Sequence, residues 1–227
     1  MRDAHNHLKR ALINEAWFFS GPGEEGTVVD LACGRGGDLA KVPPVRHYIA
    51  VDCADLGLQE LARRHREMKR TSDLRLIEGD AAYADIPTKS ADIVMLNFAL
   101  HYFTDTRDHL DCLLRTVSGA LKEGGVFCGT CVDSNRVRTS PNATCEAWPS
   151  PDELERNPFG HRYRYTLGQC VDAFEYMIHT PTFVQMAHGH GLYLMKMRGF
   201  QEYSSSHDTP GGDLVDHCHS VFMFLKV

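Results

Sequence analysis

In the first part of the chain, apolar positions form two patterns, one with helical periodicity and one of short continuous runs. Leu8, Leu12 and Ala16 recur at helical spacing between residues 5 and 17, which predicts an N-terminal helix. Five short apolar runs predict buried strands, at 28–32, 48–52, 74–78, 93–98 and 126–131. The segments between them predict helices that begin near 38 and cover 56–69 and 108–121. Strands that alternate with helices indicate βαβ units and a parallel sheet.

The alternation of predicted strands and helices ends in the last part of the chain. Residues 134–158 are rich in Ser, Asn, Pro and charge, and predict a long surface insert. Residues 159–171 alternate between apolar and polar side chains, which predicts an antiparallel hairpin. A helix at 181–191 and extended segments at 192–200 and 221–225 are expected next. The sequence thus predicts a doubly wound α/β fold, with a mostly parallel seven-stranded sheet and an inserted hairpin and helix on the substrate side.

Composition and charge narrow the class of protein. The chain has 227 residues, of which 43% are hydrophobic and 24% charged, values typical of one globular domain. The net charge of −6 gives no global positive field, so a nucleic-acid partner needs a local basic patch. No apolar run approaches the roughly 20 residues of a membrane span, and no signal peptide precedes the fold. We therefore expect no membrane partner, and eight cysteines kept as thiols in the nucleus or cytoplasm.

A glycine-rich turn follows the first predicted strand. Residues 28–38 read Val-Val-Asp-Leu-Ala-Cys-Gly-Arg-Gly-Gly-Asp. Glycines allow the backbone to approach a ligand closely and to reach positive φ. In an open parallel sheet, ligands bind at the carboxyl ends of the strands. The loop alone also fits a nucleotide-dependent dehydrogenase.

Four acidic residues distinguish a dinucleotide ligand from S-adenosylmethionine. Asp30 and Asp38 bracket the loop, where they would repel a diphosphate but suit the ammonium and sulfonium groups of S-adenosylmethionine. Asp52 ends the second strand, where an acid can accept from ribose hydroxyls. Asp80 ends the third strand and is placed to accept from an adenine amino group. The pattern favours S-adenosylmethionine as the cofactor; the alternative is a plain doubly wound sheet with acidic caps at its helix N-termini.

Seven segments carry a resemblance to a known family: Arg2 to Ile13, Asp30 to Lys41, Val51 to Asp55, Asn97 to Tyr102, Phe159 to Tyr163, Val171 to Glu175, and Val221 to Phe224. Together they resemble mRNA cap guanine-N7 methyltransferases, Rossmann-like class I enzymes, over nearly the whole chain. The resemblance implies methyl transfer from S-adenosylmethionine to N7 of the guanosine cap of mRNA. We expect a single methyltransferase domain over 1–227, with an N-terminal helix at about 1–20, a cofactor-binding core at 24–132, a substrate-side insert at 133–200 and closing strands at 201–227.

The resemblance also implies roles for individual residues. Those expected to bind the cofactor are Lys9, at the methionine carboxylate, and Asp30, Ala32, Gly34, Asp38, Asp52, Asp80, Ala81, Asn97 and Tyr102. Those expected to bind the capped RNA 5′ end are His5, Asn6, Arg35, Arg64, His101, Tyr102, Glu175 and His219, with the two arginines at the cap phosphates. His101, Tyr102 and Glu175 would align the guanine, and no residue is expected to act as a catalytic acid or base.

The chemistry of the implied reaction explains why no acid or base is needed. Guanine N7 carries a lone pair and no proton, so alignment of the reacting atoms is the main task, and orientation alone can supply roughly 7–11 kcal/mol. Glu175 would accept from the guanine N1–H and 2-amino groups, and this interaction strengthens as positive charge develops on the ring. Adenine offers no donors at those positions, so the same carboxylate would reject it.

The sequence departs from the family pattern in several places. Ala32 replaces the first glycine of the loop, and Asn97 replaces a longer glutamine. His219 stands where an aromatic residue is expected to stack on guanine, and Val132 stands where a proline is expected. A segment between Phe200 and the last strand is much shortened. These departures bear on cap affinity more than on cofactor binding.

Other residues raise the question of a metal site, and other functions remain open. Cys128 and Cys131 have CxxC spacing, and His217 to His219 carries two histidines, but alternate side chains of a core strand point apart, so we expect no metal. The alternative functions are a small-molecule N- or O-methyltransferase and a catalytically silent cap- or cofactor-binding subunit. Beyond capped RNA, the partners expected are a guanylyltransferase domain or an activating subunit.

Overall fold

Helices and strands alternate over residues 2–167, 171–206 and 218–227, which are the residues that this computed structural model describes. The helices are α1 Arg2–Ser20, α2 Asp55–Glu67, α3 Arg107–Ala120, α4 Ser134–Val137, α5 Pro151–Arg156, α6 Thr180–Gly189 and α7 Phe200–Ser206. The strands are β1 Thr27–Leu31, β2 His47–Asp52, β3 Asp73–Glu78, β4 Ala91–Asn97, β5 Leu121–Val132, β6 Ala143–Thr144, β7 Arg162–Leu167, β8 Val171–Tyr176, β9 Leu192–Gly199 and β10 His219–Lys226. Single turns of 3-10 helix occur at Leu39–Lys41, Ala81–Tyr83 and Leu100–Tyr102.

The main sheet has seven strands in the order β3-β2-β1-β4-β5-β10-β9. The pairs among the first five are parallel, whereas β10 is antiparallel to both β5 and β9. The predicted doubly wound, mostly parallel seven-stranded sheet is therefore confirmed. The chain order reverses between β1 and β4, and ligands of such sheets bind at this switch point, beyond the carboxyl ends of the strands.

Both faces of the sheet are covered, which explains the continuous apolar runs in its central strands. Val29 and Leu31 of β1 pack in a cluster that includes Leu113 of α3. Val28 points the other way, into a cluster that includes Leu8 and Leu12 of α1. Because successive side chains of a strand face opposite sides, a strand buried on both sides lacks the regular apolar and polar alternation of a half-exposed strand.

The helix predicted near residue 38 is wrong. The glycine loop ends instead in the single 3-10 turn Leu39–Lys41. Pro43 and Pro44 follow after Val42, and proline lacks the N–H that a continuing helix needs. The loop therefore precedes a tight turn, and a helix dipole makes no contribution to binding there.

A second sheet, ordered β6-β7-β8, contains the hairpin. The predicted hairpin span of 159–171 covers only the first strand of the observed hairpin, because the second strand extends to Tyr176. In β8 the side chain of Glu175 is buried while Asp172 and Phe174 are exposed. Because Glu175 places a carboxylate at an inward-facing position, β8 lacks the apolar and polar alternation by which a strand is predicted from sequence. Glu175 thus lies within the hairpin rather than downstream of it.

The region expected to be an insert is more structured than predicted. Residues 134–158 contain α4, β6 and α5, and bury Val137 and Leu154. At the other end, β9 pairs with β10 as the edge strand of the main sheet, so residues 192–199 belong to that sheet. The predicted extended segment up to Phe200 ends one residue early, because Phe200 begins α7.

Some predicted features lie outside the described residues. The shortened segment before the last strand falls largely within 207–217, and His217 is part of it. Among the residues that are described, no helix has both the length and the apolar character needed to cross a bilayer.

Candidate active site

The glycine loop leaves β1 through residues in the left-handed region. Gly34 has φ +51° and Gly36 has φ +70°. A Cβ on Gly36 would lie 2.8 Å from Cγ of Leu61, so α2 can pack closely on the loop only above a glycine. Ala32 also has positive φ, at +52°, a strained conformation for an L-residue and the one that the family glycine would adopt freely.

Asp52 fixes the loop to the end of β2. Its Oδ2 accepts from the N–H of Gly34 at 2.7 Å, and its Oδ1 accepts from the N–H of Ala54 at 2.8 Å. A carboxylate has about four lone-pair sites, so each oxygen keeps capacity for another donor. Asp52 is therefore both a structural acceptor and a half-buried acceptor available to a ligand.

A pocket of about 160 Å³ opens at the carboxyl ends of β1, β2 and β3. It is lined by Ala32, Asp52, Cys53, Gly79, Asp80, Ala81, Tyr102, Phe103 and His109. Five of these carry predicted cofactor roles, and the structure brings them together. Cys53, Gly79 and Phe103 adjoin predicted residues in sequence and could have been included on that basis. His109, near the start of α3, had no signal in the sequence.

His109 connects the pocket to a pair of acids. Its Nε2 lies 3.0 Å from Oδ2 of Asp80, and its Nδ1 lies 2.7 Å from Oδ1 of Asp105. Asp80 Oδ1 accepts from the N–H of Ala82 at 2.8 Å, which caps the 3-10 turn that follows β3. The carboxylate of Asp80 is thus held at both oxygens on the pocket wall.

Asp38 is the centre of a second polar cluster beside the loop. Its Oδ1 lies 2.6 Å from Nζ of Lys9 and 2.8 Å from Nζ of Lys41. Its Oδ2 accepts from Nδ2 of Asn97 at 3.0 Å. Burial opposes ionisation of Asp38, but the two lysines outweigh it and hold its pKa below the usual value. Three predicted residues therefore meet here, and Lys41 joins them as one that sequence reasoning left without a role.

Asp30 lies beneath the loop, away from the pocket lining. Its side chain is 2% exposed, and its Oδ2 accepts from the hydroxyl of Tyr48 at 2.7 Å. Burial, reinforced by the nearby charge of Asp38, raises the pKa of Asp30 to about 7. Its surroundings therefore favour the protonated form of Asp30, which supports the loop from beneath.

A buried polar pair lies beyond the pocket, between the turn after β4 and the hairpin. Nε2 of His101 is 3.5 Å from Oε1 of Glu175, and Oε2 of Glu175 accepts from the hydroxyl of Tyr163 at 2.6 Å. Neither ring nitrogen of His101 has a hydrogen-bond partner. Burial lowers the pKa of His101 to about 3, so its ring is neutral and the contact with Glu175 is not an ion pair. Burial also raises the pKa of Glu175.

Tyr102 connects this buried pair to the pocket. It is 46% exposed, lines the pocket, and packs its ring edge-on against His101 with centroids 4.2 Å apart. An exposed aromatic face beside a polar pocket offers a planar ligand a surface on which to stack.

His5 and His219 meet in one aromatic cluster. Their ring centroids are 6.0 Å apart, and both rings contact Phe98 and Phe200. Asn6 follows His5 on α1 and is half-buried. The cluster connects α1 to β10, so it brings the amino-terminal candidates to the carboxyl-terminal one.

The two candidate arginines differ in their surroundings. Arg35 is exposed in the glycine loop. Arg64 is on α2, where its Nε lies 2.8 Å from Oε1 of Glu60, and it does not line the pocket. Its neighbour Arg63 is paired with Glu60 and Glu67. The basic run on α2 is therefore largely neutralised by its own helix.

The cysteines with CxxC spacing face opposite sides of the sheet. Cys128 packs in the cluster with α1, and Cys131 packs in the cluster with α3. Burial raises the pKa of both thiols, which disfavours the thiolate that binds metal. Over the described ranges, no three potential metal-binding side chains come together.

Comparison with known proteins agrees with this architecture. A family model described as the mRNA (guanine-N(7))-methyltransferase domain matches residues 1–210. The chain is 29% identical to the mRNA cap guanine-N(7) methyltransferase of Drosophila melanogaster, over 89% of this chain and 55% of that protein. It is 30% identical to mRNA cap guanine-N(7) methyltransferase 1 of Oryza sativa subsp. japonica, over 89% of this chain and 61% of that protein.

A solved structure supports the fold. The S-adenosylmethionine-dependent methyltransferase from Clostridium acetobutylicum superimposes with a TM-score of 0.68 at 14% identity, over 97% of this chain and 91% of that one. The fold is that of the class I S-adenosylmethionine-dependent methyltransferases. The chain spans a little more than half the length of its insect relative and about three fifths of its rice relative. Since the family model covers nearly all of the chain, the chain belongs to the mRNA (guanine-N(7))-methyltransferase domain family.

Proposed function

We propose that this chain transfers the methyl group of S-adenosylmethionine to N7 of the guanosine cap of mRNA. The observation that carries the proposal is the junction of two sites. A pocket with an acid at the end of each of two strands adjoins the buried pair His101 and Glu175, and Tyr102 borders both. One site suits a nucleoside cofactor, and the other suits a base with adjacent N–H donors.

The residues at the first site fit the cofactor. Asp52 would accept from the ribose hydroxyls and Asp80 from the adenine amino group, since both line the pocket and keep unused lone pairs. Lys9 would meet the methionine carboxylate, and Asp38 and Asn97 would complete the polar surface beside it. When bound, S-adenosylmethionine supplies an electrophilic methyl group, so the protein needs no activating base.

The second site fits a guanine that becomes cationic. One oxygen of Glu175 is engaged by Tyr163, which fixes the plane of the carboxylate and leaves acceptor capacity for N1–H and the 2-amino group. The neutral ring of His101 adds no positive charge to oppose the methylated base. Attraction between Glu175 and the ring grows as positive charge develops, so this residue stabilises the transition state more than the bound substrate.

The direct test is to identify the methylated atom. The protein is incubated with methyl-labelled S-adenosylmethionine and RNA carrying a guanosine cap, and the RNA is then digested. We expect label in 7-methylguanosine, and none when the cap base is adenine. Label only in small acceptors would favour a small-molecule methyltransferase. Cofactor binding with no transfer to any acceptor would identify a silent subunit. Either result would overturn the proposal.

We also propose that the chain works with other capping components in the nucleus or cytoplasm. The support is that Arg63 and Arg64 of the basic run on α2 are paired with acids of their own helix, which leaves little free positive charge there for RNA. A guanylyltransferase domain or an activating subunit would then supply RNA affinity. We expect such a partner to lower KM for capped RNA without changing the methylated atom.

A further inference from the structure

The ring of His109 is held between two carboxylates. Asp80 lies 3.0 Å from Nε2, and Asp105 lies 2.7 Å from Nδ1. The ring of Tyr83 is parallel to the imidazole, with centroids 6.0 Å apart and an 8° interplanar angle, and Phe103 packs edge-on at 5.1 Å. The two aromatic rings restrict the imidazole so that its nitrogens point at the two acids.

Both contacts require both ring nitrogens to donate. An ionised carboxylate can only accept hydrogen bonds, and a neutral imidazole carries one N–H and one lone pair. The neutral ring would therefore leave a lone pair facing a carboxylate oxygen. Because Asp105 is the closer acid, the bond to Asp80 is the weaker of the two and the first to be lost when the ring loses a proton.

Other titratable groups surround this network. Asp80 and Asp105 contact the ring and Tyr83 stacks on it. Cys112 of α3 interacts with Tyr83, and the other titratable residues that line the same pocket are Tyr102, Asp52 and Cys53. None of these groups is a cation. Burial raises the pKa of Asp30, beneath the loop, to about 7, so the contribution of Asp30 to any pH dependence must be separated experimentally.

We propose that His109 is a positioning residue that holds Asp80 in place for the adenine amino group, and that its protonation makes cofactor affinity fall as pH rises. The inference rests on the cofactor assignment in the proposed function. Asp80 is 42% exposed on its side chain, so without a second anchor its carboxylate has room to rotate. His109 supplies that anchor only while both of its nitrogens carry protons.

The test is binding of S-adenosylhomocysteine by calorimetry at about pH 6 and about pH 8.5, a range over which imidazole groups in general change charge. We expect the dissociation constant of the parent to rise about tenfold between them, as for loss of one hydrogen bond to a charged group. The analogue S-inosylhomocysteine lacks the adenine amino group and should bind with little such change.

Asp105→Asn isolates the effect of His109. An asparagine amide can donate to Nδ1 of the neutral ring, which then keeps its N–H on Nε2 for Asp80. The pH dependence of this variant should therefore be largely lost, with tight binding kept at the higher pH. His109→Gln, which cannot titrate, should lose the dependence as well. His190→Gln removes another histidine–aspartate contact of α3, to Asp111, and should behave as the parent.

The possible results separate two claims. Equal pH ratios for the parent and Asp105→Asn would overturn the proposal, because Asp30 is unchanged in both. The proposal would also be overturned if His190→Gln changed the ratio of dissociation constants at the two pH values as much as Asp105→Asn does. These measurements need no RNA, so a failure to methylate caps leaves the result standing. No binding of S-adenosylhomocysteine at any pH would instead reject the cofactor assignment, and the inference with it.

Discussion

Nζ of Lys9 lies 2.6 Å from Oδ1 of Asp38, and this contact joins the N-terminal helix to the glycine loop. Both side chains are about one-tenth exposed, and Lys41 and Asn97 complete the coordination of the carboxylate. Helix α1 therefore does more than cover the sheet, because it delivers a cation to the edge of the proposed cofactor site.

Lys9→Met should weaken binding of S-adenosylhomocysteine by about 10–100-fold, the effect of losing a hydrogen bond to a charged group. The loss should be absent for 5′-methylthioadenosine, which has no amino-acid carboxylate. Lys41→Met is the matched variant, since Lys41 bonds the same oxygen and the carbonyl of Gly37. We expect it to affect both ligands equally. Calorimetry with the two ligands decides, and equal losses for Lys9→Met would remove Lys9 from the carboxylate site.

Asp30 should make stability depend on pH. Its folded-state pKa of about 7 lies above the unfolded value of about 3.9. The protonated carboxyl therefore favours folding below about pH 4, and this contribution is lost as pH rises through 7. Asp30→Asn should gain roughly 1–4 kcal/mol in unfolding free energy, relative to the parent, between about pH 4 and about pH 8. Tyr48→Phe removes the hydrogen bond that lowers the pKa of Asp30, so the pKa should rise further. The unfolding free energy of this variant should therefore fall more steeply than that of the parent as pH rises. Urea unfolding at both pH values measures the change, and a pH-independent difference for Asp30→Asn would refute it.

Ala32→Gly should stabilise the fold. Ala32 has φ +52°, where an L-residue is strained by roughly 1–2 kcal/mol, although glycine loses part of that gain through unfolded-state entropy. We expect a net gain of about 0.5–1 kcal/mol in unfolding free energy. Ala62→Gly, within α2, should instead destabilise by about 1 kcal/mol. Losses of similar size in both variants would show that Ala32 is not strained.

The main sheet could be predicted from sequence because burial on both faces leaves strands such as β1 and β4 predominantly apolar. The second strand of the hairpin could not, since Glu175 places a charge at a buried position. The helix expected near 38 failed for a local reason. Asp38 looks like an N-cap, but its carboxylate bonds lysines and an asparagine, and Pro43 stops the chain from coiling.

The residues of the candidate site that follow the carboxyl ends of strands could be predicted from sequence. Asp52 and Asp80 end successive strands, so their proximity follows from topology. His109 acts through Asp80, which is far from it in sequence, whereas Lys41 bonds Asp38, three residues before it. A single histidine or lysine carries no local signal of such a role. Arg64 shows the converse, because a basic run on a helix is paired with acids one turn away.

Arg35 should matter more than Arg64 for the cap phosphates. Arg35→Ala should raise KM for capped RNA several-fold and reduce the dependence of KM on salt, because one contact to phosphate is lost. Arg64→Ala should have a smaller effect, since Glu60 already engages its guanidinium. Steady-state rates over a range of salt concentrations test this. A KM that is independent of salt in the parent would contradict a phosphate contact at either residue.

Glu175→Gln tests most directly whether this chain methylates a guanine cap. The variant keeps size and can still accept from Tyr163, but it loses the charge that faces the cationic ring. We expect unchanged binding of S-adenosylhomocysteine and a fall of about 10–1000-fold in kcat on capped RNA, equivalent to about 1.4–4 kcal/mol of transition-state stabilisation. Tyr163→Phe, which leaves the charge in place, should lose much less. Cap methylation by Glu175→Gln at the parent rate would contradict the proposed guanine site.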